Sequence, residues 1–393
     1  MKKIFLLILL IVMIFLLPAN KTLFADSSQS NNELSQGVEE ILEGISFDDC
    51  ENLLNSLNDN QKVIFAGDSF LSKVKKVING EYELSFANVL NIIFSQVSVA
   101  IKNLLPILCF IAVVAILANV LLQGKSSSSS KSVGDIIHFA LFSIVVVTIF
   151  QIITSLVNIS SSAVNSIKNQ MEITFPILLT LMASVGSSVS VGVFRPLVAI
   201  LSGGLIVFFQ GVILPLFIFS IAFNVVGNLS NDVKLSKFCN LFNSLFKTLI
   251  GFVFTLFGAF LTIQGISAGS YDGVSFKTAK FAIKSYVPFL GGYLSDGLNL
   301  IITSSTLVKN AVGVVGLLLL LSTIIQPIIY IVVVKLGLNV LSSVIQPIAD
   351  KKFADFTEGV AKSLNMLLAT LIGISFAYLL TIGLIMCCSN LIF

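Results

Sequence analysis

The chain has 393 residues, 56% of them hydrophobic and only 11% charged, with a mean hydropathy of +1.00 and a formal net charge of +3. Soluble domains carry about 25% charged residues, so this composition cannot furnish a polar surface along the whole length. It predicts an all-α, polytopic helical membrane protein. The near-neutral balance also excludes nucleic acid as a partner, because Arg195 is the sole arginine and bidentate contacts to phosphates or bases have almost no material.

Met1, Lys2 and Lys3 followed by an apolar run over 4–17 have the form of a secretory signal, too short for a span and suited to a signal core. The site Leu23-Phe24-Ala25 is imperfect, since a small residue is usual where Leu23 stands. Residues 1–25 are therefore read as a signal peptide, with an uncleaved signal anchor as the alternative. Residues 26–103 follow as an acidic stretch, with twelve acidic residues against five lysines. Val38, Ile41, Leu42 and Ile45, then Leu53, Leu54 and Leu57, recur at helical spacing and predict a small helical extracytoplasmic region. Lys73, Lys75 and Lys76 are read as a solvated face rather than a lipid contact.

Residues 104–393 are read as a multi-span membrane domain. Six runs are long and apolar enough to cross: 104–122, 136–157, 196–226, 245–266, 311–338 and 364–386. Pro215 and Pro327 lie inside two of them and predict helix kinks. Two weaker stretches remain, 176–193, rich in small residues, and 288–304, broken by glycines and Asp296. Each is compatible with a short span, a re-entrant pair or an interfacial helix.

The domain also reads as an internal duplication at an offset of 112 residues, with repeats over about 136–247 and 248–388. Pro176 maps onto Pro288 and Pro215 onto Pro327, while Gly204 maps onto Gly316. Internal repeats are common in transporters, with the functional centre between them at segments interrupted by Gly or Pro. If the weak stretches do not cross, Lys125, Lys131, Lys234, Lys237, Lys247, Lys351, Lys352 and Lys362 share the cytoplasmic side, as the positive-inside rule favours. Lys277, Lys280 and Lys284 then fall outside, near one face of an amphipathic segment over 276–287 that would rest on the membrane surface.

Catalytic patterns are absent, so no enzyme, metal or cofactor is expected. His138 is the single histidine and is read as a boundary residue beside Asp135 in preference to a proton relay. No G-x-x-x-x-G-K-[ST] occurs, so ATP hydrolysis by that route must come from a partner. Five cysteines, with Cys387 adjacent to Cys388, give no disulfide framework. Ionisable groups at membrane depth are costly and often functional. The candidate seam or pore therefore comprises Pro176, Gly186, Gly192, Pro288, Gly291, Gly292, Asp296, Lys309 and Asn310. An ordinary interfacial loop is the plainer reading of the second group. Helix packing is the plainer reading of the small residues from Ala183 to Gly192. Lys335 is read as snorkelling to the surface.

The stretch Val287, Pro288, Gly291, Gly292, Tyr293, Ser295 and Asp296, followed by Leu307, Val308, Lys309, Asn310, Gly313 and Gly316, resembles the stage III sporulation protein AE family. The signal-type start, acidic segment and multi-span remainder fit the same resemblance. It implies a multi-pass protein of the mother-cell membrane around the forespore. There it would act as a permease-like or channel-core subunit of the secretion-like channel complex joining the two cells, needed for late forespore development. Its implied partners are other membrane subunits, a separate ATPase and membrane lipid, and the family offers no catalytic residues. A non-transporting scaffold recruiting ring-forming partners through residues 26–103, and a stand-alone secondary transporter, are the alternatives.

Overall fold

The computed structural model describes residues 28–65, 67–81, 86–123, 131–229, 235–286 and 291–388. The signal segment over 1–25 lies outside them. The elements in order are α1 (Ser28–Glu43), α2 (Asp48–Ser56), the single turns α3 (Asp59–Lys62) and a 3-10 turn (Val63–Phe65), and α4 (Phe70–Ile78). The long helices follow: α5 (Phe86–Gln123), α6 (Lys131–Ser184), α7 (Ser188–Phe208), a π-helical turn (Phe209–Ile213), α8 (Leu214–Leu229), α9 (Ser236–Tyr286), α10 (Gly291–Ile345) and α11 (Lys351–Cys388). Among the described residues there is no strand, and the chain is an all-α, multi-pass membrane protein.

Local signals set the N-terminal unit. Ser69 caps α4 by accepting from the Ser72 amide at 3.1 Å, and Gly80 ends it at φ +70. The Gly80 and Glu81 amides then close back on the Val77 and Lys76 carbonyls, a left-handed glycine stop. Glu51 accepts the Leu71 amide at 3.2 Å and so ties α2 to α4. Phe47, Cys50, Phe65, Phe70 and Val74 form the unit's buried centre. Burial and the neighbouring Asp49 and Glu51 carboxylates push the Cys50 thiol up to about 12, so it is a poor nucleophile.

Asp68 pairs with Lys76 at 2.7 Å and Lys73 at 3.0 Å, and these two hydrogen bonds lower its carboxyl below the usual range. A depressed folded value contributes stability above the unfolded value of about 3.9 and loses it as pH falls through the folded one. Asp68→Asn is accordingly expected to speed labelling of the buried Cys50 thiol at neutral pH. Lowering the pH of the unsubstituted chain below about 4 should loosen the same unit, read as protease cleavage within it. Labelling unchanged by the substitution would remove Asp68 as the clasp.

Among the described residues six apolar helical segments are long enough to cross a membrane: Val89–Leu121, Ile136–Ser184, Ser188–Leu229, Lys237–Thr262, Gly297–Ile345 and Lys351–Cys387. They contain the six runs read from the sequence almost entirely and are mostly much longer. At 1.5 Å per residue α6, α9 and α10 each approach about 80 Å, against a hydrocarbon layer of about 30 Å. The bundle therefore continues well beyond the bilayer. Neither weak stretch forms a helix of its own. Residues 176–184 finish α6, 185–187 are a turn and 188–193 begin α7, while 291–304 open α10. The segment 276–286 is likewise the end of α9.

Side-chain contacts fix the direction of each helix. Phe142 on α6 meets Phe353 and Phe356 on α11, and Phe175 meets Tyr378, so α6 and α11 run in parallel. His138 lies 3.8 Å from Asp350, and Gln170 donates to Thr323, so α10 runs against α6. Asn119 donates to the Ile348 carbonyl, and Asn224 on α8 to the Phe356 carbonyl at 2.9 Å. The last turns of α5, α8 and α10 and the first turns of α6, α9 and α11 thus lie at one end, the end that carries Lys237, Lys351 and Lys352. At the other end the 185–187 turn meets α10, and the N-terminal unit leans on α10 with Gly37 close to Ser304.

At the offset of 112, the connection 230–235 falls on 342–347, overlapping the second connection at 346–350, whereas the 185–187 turn falls on 297–299, where α10 is unbroken. The two prolines also differ. Pro215 follows the π-helical turn, which absorbs the backbone hydrogen bond a proline cannot make, while Pro327 sits within regular α-helix in α10.

Candidate functional site

The turn between α6 and α7 and the opening of α10 are brought together: Val185 and Ile302 form a small buried cluster apart from the main core. Gly186 makes that turn at φ +88, with its amide on the Ala183 carbonyl at 2.9 Å and the Ser187 amide on the Met182 carbonyl at 3.1 Å. Only glycine takes this left-handed position without strain. Ser187 and Ser190 are buried at the turn, as are Ser304 and Ser305 on α10. Gly192 and Pro176 are exposed, and Gly192 has open space around it, so the small-residue stretch does not act as one packed face within the chain. Gly291 and Gly292 begin α10. Pro288 lies outside the described residues, and the Asp296 side chain is likewise not described.

Lys309 is fully buried, and its ammonium donates to the carbonyls of Ile385 at 3.1 Å and Met386 at 2.9 Å. These are among the last carbonyls of α11, which have no partner within their own helix and carry the negative end of its dipole. The buried cation thus caps a helix terminus. Along the same face of α10, at spacings of four and three, stand Gly313 and Gly316. A Cβ on Gly313 would come 2.7 Å from the Met386 sulfur, and one on Gly316 would come 2.9 Å from Thr174 Cγ2. Small residues here allow α10 to approach α11 and α6 closely. Asn310 is half-buried beside this face.

Further along the α6–α10–α11 junction, Thr174 and Tyr378 are both fully buried, and Gln170 donates to Thr323. Lys335 donates to Asn365 on α11 at 2.6 Å, so it is held across the helix pair rather than freely snorkelling. Ser220 and Ser363 share a hydrogen bond at 2.8 Å between α8 and α11. None of these pairs was singled out from the sequence. An isolated polar residue in an apolar run, such as Asn365, was the available signal for one of them, whereas Gln170 lies among other polar residues and gave none. His138 is buried, stacked on Phe142 at 5.7 Å between centroids and edge-on to Phe353, in the manner of an anchored boundary residue. Among the described residues no group of three His, Cys, Asp or Glu is placed to hold a metal.

The model for the family described as "Stage III sporulation protein AE" matches residues 69–389, from the cap of α4 to just past α11. The chain belongs to the stage III sporulation protein AE family. It is 25% identical over 319 residues to the stage III sporulation protein AE of Bacillus subtilis (strain 168), covering 80% of this chain and 79% of that one. No solved structure matches it. The chain is accordingly a sporulation-related, multi-pass membrane protein. The residues from Leu307 to Gly316, on which the sequence resemblance rested, are the capping and close-packing face just described. In this chain that stretch brings α10 against α11 and α6.

Proposed function

We propose that the chain is the permease-like or channel-core subunit of the complex that joins mother cell and forespore, seated in the mother-cell membrane and needed for late forespore development. The lysine-bearing end faces the mother-cell cytoplasm, by the positive-inside rule, and the N-terminal unit faces the intermembrane side. The observation that carries the reading is the junction of α6, α10 and α11, where Gln170, Thr323, Thr174 and Tyr378 place polar groups inside a bundle of spanning helices. Polar groups at such positions mark either a passage or interhelical glue. The chain carries no P-loop, so energy enters from a separate ATPase subunit, and other membrane subunits complete the conduit. No catalytic step is assigned to it.

The test is made in a sporulating host. Single cysteines at Ser187 and Ser305, introduced after removal of the native cysteines, are expected to react with a membrane-impermeant thiol reagent only when the rest of the complex is expressed. Protection in both conditions would leave the bundle a packed scaffold. The acidic N-terminal unit favours that second reading in one respect, since it precedes the first spanning segment and offers a polar surface for ring-forming partners. Deleting residues 28–81 separates the two: a conduit still co-purifies with its membrane neighbours, whereas a scaffold loses its partners. Solute uptake by the purified chain alone in liposomes would favour a stand-alone transporter over both.

A further inference from the structure

Between α1, α4 and α10 lies a half-open groove of about 230 Å³ whose apolar lining is Leu34, Val38, Leu42, Ile78 and Leu307. Val38 and Leu42 form its buried floor, while Leu34, Ile78 and Leu307 are half-buried along it. Its volume is below the 300–1,000 Å³ typical of small-molecule sites and suits one or two large apolar side chains. Glu33, Glu39, Glu40 and Glu43 of α1 and Lys75 of α4 are exposed around it, and exposed charges are too costly for the hydrocarbon layer, so lipid tails do not cover this surface.

The surroundings set the charge of what does. Glu39 lies on the α1 lip and Lys75 on the α4 lip. Beyond the lip, Glu33, Glu40 and Glu43 of α1 are exposed as well. Over residues 28–81 ten acidic residues stand against four lysines, and two of those lysines, Lys73 and Lys76, are already held by Asp68. A potential of this sign selects basic partners and repels acidic ones. We infer that this groove docks a basic amphipathic segment of a partner protein on the intermembrane side, its apolar side chains between α1 and α4 and its lysines or arginines along the glutamates of α1. An amphipathic helix laid in an apolar groove is a recurrent mode of recognition. The inference concerns recruitment and holds whether or not the subunit conducts, so its failure would leave the conduit reading standing.

The test uses the full chain in phosphatidylcholine nanodiscs and a fluorescent Leu–Lys amphipathic peptide of about 14 residues, with a Leu–Glu peptide of the same pattern. Binding is read by anisotropy after subtraction of protein-free nanodiscs. The Leu–Lys peptide is expected to bind at least about tenfold more tightly than the Leu–Glu peptide, a difference of about 1.4 kcal/mol. Leu34→Gln, at a half-exposed position, and the exposed pair Glu39→Lys with Glu40→Lys should each weaken it by about tenfold. Asp49→Lys, an equal charge change at an exposed site outside the groove, should alter it by less than about twofold. Equal binding of the two peptides, no binding of either, or an equal loss from Asp49→Lys would overturn the assignment, as would Leu34→Gln binding like the unsubstituted chain.

Discussion

Lys309→Met is expected to destabilise the chain by about 3 kcal/mol, seen as a clear fall in the thermal unfolding midpoint of the purified protein in mild detergent. The side chain is fully buried and gives hydrogen bonds to two carbonyls at the C-terminal end of α11. Methionine keeps much of the stem's volume and apolar contact, so the loss isolates the ammonium. What remains is a pair of buried acceptors, Ile385 and Met386, facing a thioether. Hydrogen bonds from charged donors contribute about 1.5–3 kcal/mol each, and a cation near a helix C-terminus adds up to about 2. Part of this is offset by the desolvation cost that the charge no longer bears, which sets the net expectation near the middle of the range. Lys309→Gln, which restores one uncharged donor, should fall between the two. A methionine variant that melts with the unsubstituted chain would show that α11 ends without need of Lys309, and the capping role would be withdrawn.

The same residue shows how far the sequence could be read. An ionisable group in an apolar run stands out by cost alone, so Lys309 was visible as a special position. Its role was not, because the partners are backbone carbonyls seventy-six and seventy-seven residues away, and backbone has no side-chain signature. The six spans were legible because runs of about 20 apolar residues have few soluble explanations. Their true lengths were hidden. Residues 158–175 continue α6 with serine, asparagine, Lys168 and Glu172, a composition that hydropathy reads as loop. Yet those residues keep Ile167 and Met171 buried on one face. The break between α6 and α7 was half legible: the 176–193 stretch offers Gly186 and Gly192 as stops, and spacing does not say which takes positive φ. The structure puts it at Gly186 and leaves Gly192 in the middle of a turn of α7. The turn at 185–187 and the opening of α10, both singled out in the sequence, meet at Val185 and Ile302. The polar pairs beneath it require knowing which helices are neighbours, which single-chain periodicity does not encode.

Neighbouring helices are also what decides the second large effect, at Gly359 on α11. A Cβ there would clash with the Asn224 amide on α8. Asn224 is buried and fixed on both sides: its amide nitrogen donates to the Phe356 carbonyl at 2.9 Å, and its oxygen accepts from Asn228 at 3.0 Å. Moving it to admit a methyl group breaks these bonds, and keeping it forces α8 away from α11. Overpacking costs about 1–3 kcal/mol and a lost buried hydrogen bond about 1 more, so Gly359→Ala is expected to lower stability by about 3 kcal/mol. Gly251 on α9 is the matched control, since its Cβ position is open. There alanine should be neutral or stabilising by up to about 1 kcal/mol, through helix propensity alone. The two substitutions have the same chemistry and opposite expected signs, which separates close packing from any general intolerance of alanine. Asn224→Ala in the Gly359→Ala background should recover part of the loss, because it removes the obstructing amide, and the coupling in that cycle measures the contact directly. If Gly359→Ala and Gly251→Ala melted alike, α8 and α11 would not be held at the separation described, and the Ser220–Ser363 hydrogen bond one turn away would be in question with it.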